Sequence, residues 1–478
     1  MNSKRTVSIL IIVLLVGILA ACQGQPETVV VTREMTRVVT ETVEGIPPIS
    51  AGEAEEGSAA IGSERAADAP PPPETGAKVP PSRETSVDAS EPEVKSSSDT
   101  TAEIRAEEEI ALATPVPTMV SEAAAPVAAL SQESYLTAGE VDDNAEWDDY
   151  LNYVNRYQGP AIIPVDVSER HQIWVRNSQE RPILGALIRI STENGREVTT
   201  LRTHSDGRAY FFPRAYALQA STYTVAVEVN GLTQTFTLAA GPQTSQREWT
   251  IIHPGGDQIQ PATQLDILFL IDATGSMADE INQLKENIHV IAAQIDALPS
   301  RPDVRFGLVA YRDRGDMFVT RVFDFTPDVN EFAEILAGVY AEGGGDYPED
   351  LNEALSRAVH EPEWRVENTV SLIFLVADAP PHLDYGQQNH YAYEMSQAAA
   401  RGIKIYPIAS SGLDAMGEYV FRQLAQFTGG RFIFLTYGPD GPGSPGGETT
   451  MNVDDYTVSA LHRLVVKIVE EELSYLGQ

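Results

Sequence analysis

The 478-residue chain has a single cysteine, Cys22, so no disulfide can form within it. Positive charge is scarce: 33 Lys and Arg stand against 69 Asp and Glu, a formal net charge of −36. Binding a phosphate backbone needs a positive surface, which excludes nucleic acid as a main partner. Most of the acidity serves solubility and self-repulsion, with a minority of carboxylates available to hold cations. Aromatic residues are missing altogether between Gln23 and Glu133, where Pro, Ala, Ser, Thr and Glu dominate and runs such as PPPPE and AEEEIA occur. Such a segment cannot bury enough apolar surface to offset its ordering entropy, and residues 23–133 read as a disordered stalk. As a flexible coil it has a root-mean-square span of roughly 50–60 Å, enough to carry a domain clear of a surface. Long apolar runs are lacking too: the one from Val7 to Leu19 is too short and too near the end of the chain for an ordinary spanning helix.

That short run follows Lys4 and Arg5 and closes in Leu19-Ala20-Ala21-Cys22, the layout of a secretory signal. The stretch LAAC resembles a bacterial lipobox, in which the cysteine thiol is acylated and the chain is cleaved before it. The resemblance implies that residues 1–22 are a lipoprotein signal peptide and lipobox, with Cys22 lipidated. The protein is then expected to be extracytoplasmic, lipid-anchored to the bacterial cell membrane.

Aromatics begin at Tyr135. Residues 134–160 read as a helical lead-in, with Trp147, Tyr150, Leu151 and Val154 at helical spacing behind Asp142, Asp143 and Asn144, whose acidity suits a helix start. Residues 161–255 alternate apolar and polar with no helical period. Asn194-Gly195, Asp206-Gly207 and Asn230-Gly231 are hairpin-type turn signals, and together they predict a β-sandwich of roughly six or seven strands. The pattern PILGALIRI, THSDGRAYF, YTVAVEV resembles carboxypeptidase-regulatory-like or prealbumin-like sandwiches, which implies a spacer or stabilising module without an active site.

From residue 256 to 478 the texture changes again. Strands that are apolar throughout (LDILFLI, VRFGLVAY, TVSLIFLVA, IKIYPIA, RFIFL) alternate with amphipathic stretches, which predicts a doubly wound, mostly parallel α/β sheet covered on both faces. The end, YTVSALHRLVVKIVEEEL, sets Val458, Leu461, Leu464, Val465, Ile468 and Val469 on one stripe of a closing helix. Ligands of such folds bind outside the carboxyl ends of the strands, where the strand order reverses.

The stretch IDATGSM follows the first of these strands and offers three oxygen side chains at alternate positions, Asp272, Thr274 and Ser276. A serine hydrolase would place Ser276 on a G-x-S-x-G elbow, but the local sequence is ATGSMAD. A phosphate loop needs several glycines and a lysine, and this stretch has one glycine and acids in the lysine's place. A hard cation needs about six oxygens, more than these three side chains supply. Further acids do occur at other loops: Asp313 in RDRGD, Asp346, Glu349 and Asp350 in EGGGDYPED, and Asp378 after SLIFLVA. Arg314-Gly315-Asp316 spells RGD but reads as the turn between two strands, and His382 with His390 lacks the HExxH or cysteine pair of a zinc motif.

Taken in order, these residues resemble the von Willebrand factor type A domain and its metal-ion-dependent adhesion site, over about Leu265 to Tyr437. The family's D-x-S-x-S motif is matched by Asp272, Thr274 and Ser276, and its aspartate after the fourth strand by Asp378. Where many members have a threonine in the middle loop, this sequence has GGGDYPED, similar to integrin β subunits and hemicentin-like A domains, in which an acid takes that place. The resemblance implies a Rossmann-like fold and a divalent cation, Mg²⁺ first, with Mn²⁺ or Ca²⁺ as alternatives. It sets Glu349 or Asp346 in the third position, Asp313 and Asp346 beside a neighbouring second cation, and Asp279 and Glu280 at an acidic pair able to hold a third.

Two neutral hydroxyls in the shell leave a cation underneutralised and open to a carboxylate presented by a protein ligand. Nothing poises a nucleophile or general base, so a binding protein is expected rather than an enzyme, acting in adhesion or envelope assembly. The alternatives are an accessory subunit of an ATPase or enzyme machine, and a hydrolase that activates water at the metal.

Overall fold

The computed structural model describes residues 136–258, 264–439, 445–453, 456 and 458–477. The expected signal peptide, Cys22 and the stalk lie outside these residues. Among the described residues strand β1 (Thr137–Val141) comes first, followed by helix α1 (Trp147–Arg156). The helical spacing of Trp147, Tyr150 and Val154 is realised in α1, but two expectations for the lead-in need correction. Residues 137–141 are extended, and the acidic cluster does not start the helix. Asp142 caps a turn by accepting from the Asn144 and Ala145 amides, while Asp143 is buried against the Arg422 guanidinium and Asn144 donates to the Gln426 carbonyl. These are long-range ties.

Seven strands follow: β2 (His171–Arg176), β3 (Leu187–Thr192), β4 (Glu197–Arg202), β5 (Arg208–Phe211), β6 (Thr222–Val229), β7 (Leu232–Ala239) and β8 (Glu248–Ile252). They form a three-stranded sheet, β5-β2-β8, and a four-stranded sheet, β4-β3-β6-β7. Strand β6 explains the alternation in the sequence, since Tyr223, Val225, Val227 and Val229 are buried between partly exposed neighbours. Each such side chain contributes about 1.5–3 kcal/mol by leaving water. The turn glycines Gly195, Gly207 and Gly231 all have positive φ, between 74° and 77°. Gly195 and Gly231 close the β3–β4 and β6–β7 hairpins as expected, whereas Asp206-Gly207 does not form a hairpin, because β4 and β5 belong to different sheets and its turn carries the chain from one to the other.

The rest of the chain comprises β9 (Gln264–Asp272), α2 (Ala278–Asp296), β10 (Asp303–Tyr311), β11 (Thr320–Thr326), α3 (Val329–Ala337), α4 (Leu351–His360), β12 (Thr369–Ala377), α5 (Tyr391–Arg401), β13 (Ile403–Ala409), α6 (Ala415–Thr428), β14 (Phe432–Thr436), β15 (Ser459–Ala460) and α7 (Leu461–Ser474). The eight-stranded sheet runs β11-β10-β9-β12-β13-β14-β1-β15. Its five inner strands, β10, β9, β12, β13 and β14, are parallel, and the flanking β11, β1 and β15 are antiparallel to their neighbours.

Burial on both faces accounts for the unbroken apolar strands. Along β9, Leu265, Ile267, Phe269 and Ile271 pack with α2, α3 and α7, while Leu268 and Leu270 face the layer of α4, α5 and α6. The second layer is continuous with the sandwich core, and Phe212 packs on Phe427 of α6 with ring centroids 4.9 Å apart. The closing helix begins at Leu461, one turn later than its apolar stripe suggested. Residues 459–460 pair with β1 instead, which leaves Val458 exposed outside the helix.

Candidate metal centre

Strand order reverses at β9: the chain first builds outward through β10 and β11, then crosses to β12 on the other side. Ligands of such sheets bind outside the carboxyl end of the strand at which the order reverses, and Asp272 is the last residue of that strand. Asp272 is fully buried, and its Oδ1 accepts from the Thr274 amide at 2.9 Å and the Thr274 hydroxyl at 2.7 Å. Its Oδ2 is buried without a hydrogen-bond partner. Tyr311, opposite Asp272 in the parallel register, is buried too and has its phenol pushed up by burial and by the surrounding carboxylates.

A short 3-10 turn, Gly275–Met277, leads into α2 and leaves Ser276 exposed at its mouth. Asp378, one residue past β12, is 8% exposed, and its carboxyl is raised by burial, partly offset by the Ser276 hydroxyl. Glu349 enters from the loop before α4. It is held by backbone bonds to the segment after β12: its amide donates to Pro380 and its carbonyl accepts from His382. Gly344 brings this loop against Thr274. It has φ +71°, and a Cβ there would lie 2.8 Å from Thr274 Cβ and 3.2 Å from Glu349 Oε1.

Negative charge is concentrated and poorly compensated. Among the described residues no Lys or Arg pairs with Asp272, Asp346, Glu349 or Asp378. Burial pushes the Asp272 carboxyl up to about 7, and burial together with the charges of Asp272, Asp313, Asp316 and Asp346 pushes Glu349 up to about 9. Glu349 Oε2, like Asp272 Oδ2, is buried with no donor. Two unmatched buried carboxylate oxygens beside a threonine and a serine hydroxyl form an oxygen-only donor set, and such a set fits a hard divalent cation.

The candidate residues separate into groups. Asp272, Thr274, Ser276 and Asp378 gather at the ends of β9 and β12, with buried Glu349 beside Thr274. Asp346 is exposed and lies instead with Asp313 and His382. Asp279 is exposed in the first turn of α2, whereas Glu280 turns inward, 8% exposed, pushed up to about 7 by burial first and by Asp378. Arg314-Gly315-Asp316 does form the turn between β10 and β11. Arg314 pairs with Asp350 at 3.0 Å, and Asp316 accepts from the amides of Asp313 and Gly344. Sequence reasoning set His382 aside and missed Tyr385 and Tyr311. The only trace of the first two is their position in DAPPHLDY, within a loop's length of Asp378.

The mostly parallel eight-stranded sheet flanked by helices is consistent with a von Willebrand factor A domain. Residues 266–437 match the family described as "von Willebrand factor A domain", and the chain carries that domain there. Among curated relatives, "von Willebrand factor A domain-containing protein 7" of Rattus norvegicus is 38% identical over 124 residues, 26% of this chain. "Alpha-protein kinase vwkA" of Dictyostelium discoideum is 32% identical over 126 residues, and "Hemicentin-1" of Mus musculus 26% identical over 169, covering 26% and 35% of this chain. The matched regions span only 12%, 20% and 3% of those proteins' own lengths.

Proposed function

We propose that this chain is a cell-surface lipoprotein whose A domain binds a protein ligand through a divalent cation, Mg²⁺ first, in adhesion or envelope assembly. The observation that carries the reading is the pair of buried, unpartnered oxygens, Asp272 Oδ2 and Glu349 Oε2, at the carboxyl end of the parallel sheet. Asp272, Thr274, Ser276, Glu349 and Asp378 would hold the ion, with Glu349 rather than Asp346 in the third position because Glu349 shares the neighbourhood of Thr274. A cation held there supplies an open coordination position to a carboxylate of the ligand. The protein's own residues do the rest. The Thr274 amide and hydroxyl bonds orient Asp272, and the glycine-rich loop carries Glu349 to the site. Met317, Tyr340 and Tyr347, exposed by 77%, 63% and 47%, offer apolar surface on nearby loops. Anchoring at Cys22 rests on the LAAC stretch. A von Willebrand factor A domain is commonly a protein-interaction module, which favours binding over catalysis.

The test is capture from a bacterial envelope extract on the immobilised protein, with and without chelator. Chelator should release the captured ligand, Mg²⁺ should restore it, and Asp272→Ala should abolish capture while circular dichroism stays unchanged. Capture indifferent to chelator would sink the cation bridge.

A further inference from the structure

The four-stranded sheet of the sandwich ends in β7, which pairs with β6 on one side and, among the described residues, with no strand on the other. Val229 and Leu232 close a two-residue turn, so Leu232, Gln234, Phe236 and Leu238 exchange hydrogen bonds with β6. The amides and carbonyls of Thr233, Thr235 and Thr237 therefore point away from the sheet. These threonines are exposed, and among the described residues no other segment bonds their main chain. On the opposite face Phe236 is half-buried, its ring 5.8 Å from that of Trp249.

An open strand is ordinarily blunted by charge, proline, a bulge, shortness or a cover. The other edges follow that rule. Strand β4 carries Glu197 and Arg202 and has α5 against it, β5 and β8 are short and carry Arg208 and Glu248, and β15 has two residues. Strand β11 carries Arg321 and Asp324, with a register shift against it in β10. Strand β7 has eight residues, no charge, no proline and no register shift. Such an edge is ready to accept a further strand.

We infer that β7 is a docking edge for this chain's own segment Thr28–Thr32. The stretch Thr-Val-Val-Val-Thr is the one run of five β-branched residues between Gln23 and Glu133, in a region otherwise rich in Pro, Ala, Ser and Glu. As a strand it sets Val29 and Val31 on one face and Thr28, Val30 and Thr32 on the other. The two valines then continue the apolar face beside Phe236, and the other three residues continue the outer row of threonines. Both partners are uncharged. A tether of about a hundred residues between Thr32 and Leu136 lets the segment reach the edge and keeps it at high local concentration. A second copy of the chain is the poorer occupant, because each copy brings a formal net charge of −36. With Cys22 as the anchor, six residues before Thr28, docking holds the sandwich within about 20 Å of the membrane. That consequence rests on the lipoprotein reading, whereas the docking does not.

The test is hydrogen–deuterium exchange of the purified full-length chain, read on a proteolytic fragment covering Leu232–Ala239. In wild type the amides of Thr233, Thr235 and Thr237 should be protected along with those bonded to β6. Val30→Pro removes a donor in the middle of the segment and should speed exchange at the three threonines roughly tenfold or more. The amides facing β6 should keep their rate, which shows the sandwich intact. Ala60→Pro should match wild type. Equal exchange at the three threonines in wild type and Val30→Pro would overturn the inference. Protection that fades on dilution would overturn it too, since a second copy would then hold the edge.

Discussion

Lys404 of β13 and Glu472 of α7 form a buried ion pair, 2.7 Å between Nζ and Oε1, which Ser205 of the sandwich closes from outside by donating to Oε2. Tyr406 donates to Oε1 as well, at 2.8 Å, so both carboxylate oxygens are satisfied. One carboxylate thus joins the sandwich, the central sheet and the last helix.

Removing that carboxylate leaves an ammonium buried without a counter-charge. Glu472→Ala is expected to cost about 3–5 kcal/mol, whereas the double substitution Lys404→Met with Glu472→Leu should recover part of the loss. Urea unfolding midpoints measure both. A single variant within about 0.5 kcal/mol of wild type would mean the pair is solvated in solution.

His204 gives the same region a pH response. Burial, followed by the Lys404 charge, holds its imidazole down at about 4, against the opposing pull of Asp206 and Glu472, with Arg208 also lowering it. The unfolded chain takes up this proton near pH 6.5, and the folded one does so only near 4. Stability from neutral His204 is therefore complete above about 6.5 and is lost as pH falls towards 4, roughly 3 kcal/mol in all. Unfolding free energies of wild type and His204→Asn across pH 4–7 should diverge in slope by about one proton. Parallel curves would contradict it.

Mg²⁺ should stabilise the protein by mass action. At a free concentration 100 times its dissociation constant the gain is about 2.7 kcal/mol, or a melting shift of roughly 5–10 °C for a domain of this size. Asp272→Asn should remove the shift yet melt no lower than chelated wild type, because a neutral amide relieves the crowding with Asp378. A Mg²⁺ shift that persists in Asp272→Asn would place the ion elsewhere.

Gly344 tests the loop that carries Glu349. Its left-handed backbone and its contact with Thr274 predict that Gly344→Ala costs about 1–2 kcal/mol locally and weakens Mg²⁺ about tenfold. Isothermal titration with Mg²⁺ reads this directly, and unchanged affinity would show that the loop can shift freely.

Much of the fold was legible because burial leaves a direct mark on sequence. LDILFLI is apolar without interruption since both of its faces are covered, and β6 alternates since one face is not. The oxygen residues at IDATGSM and after SLIFLVA could be placed at strand ends for the same reason. What escaped were relationships between segments far apart in the chain. Nothing in TAGEV announces a strand beside β14, and Asp143 meets Arg422 across 279 positions. The His382 group depends on how three loops fold over one another, and loop conformation is set by local turns and packing that periodicity does not encode. Glu349 and Asp346 are three residues apart, yet one is buried and the other exposed.

Strand β1 lies ahead of the sandwich in the chain but lies in the sheet of the A domain, next to β14. The A domain is therefore discontinuous, interrupted by the sandwich. A fragment cut at residue 256 would leave β14 with an open row of amides and carbonyls, an invitation to pair with another copy. A fragment keeping residues 136–477 should stay monomeric where the shorter one aggregates. Expression of this domain on its own depends on a strand more than a hundred residues away from the motif that defines it.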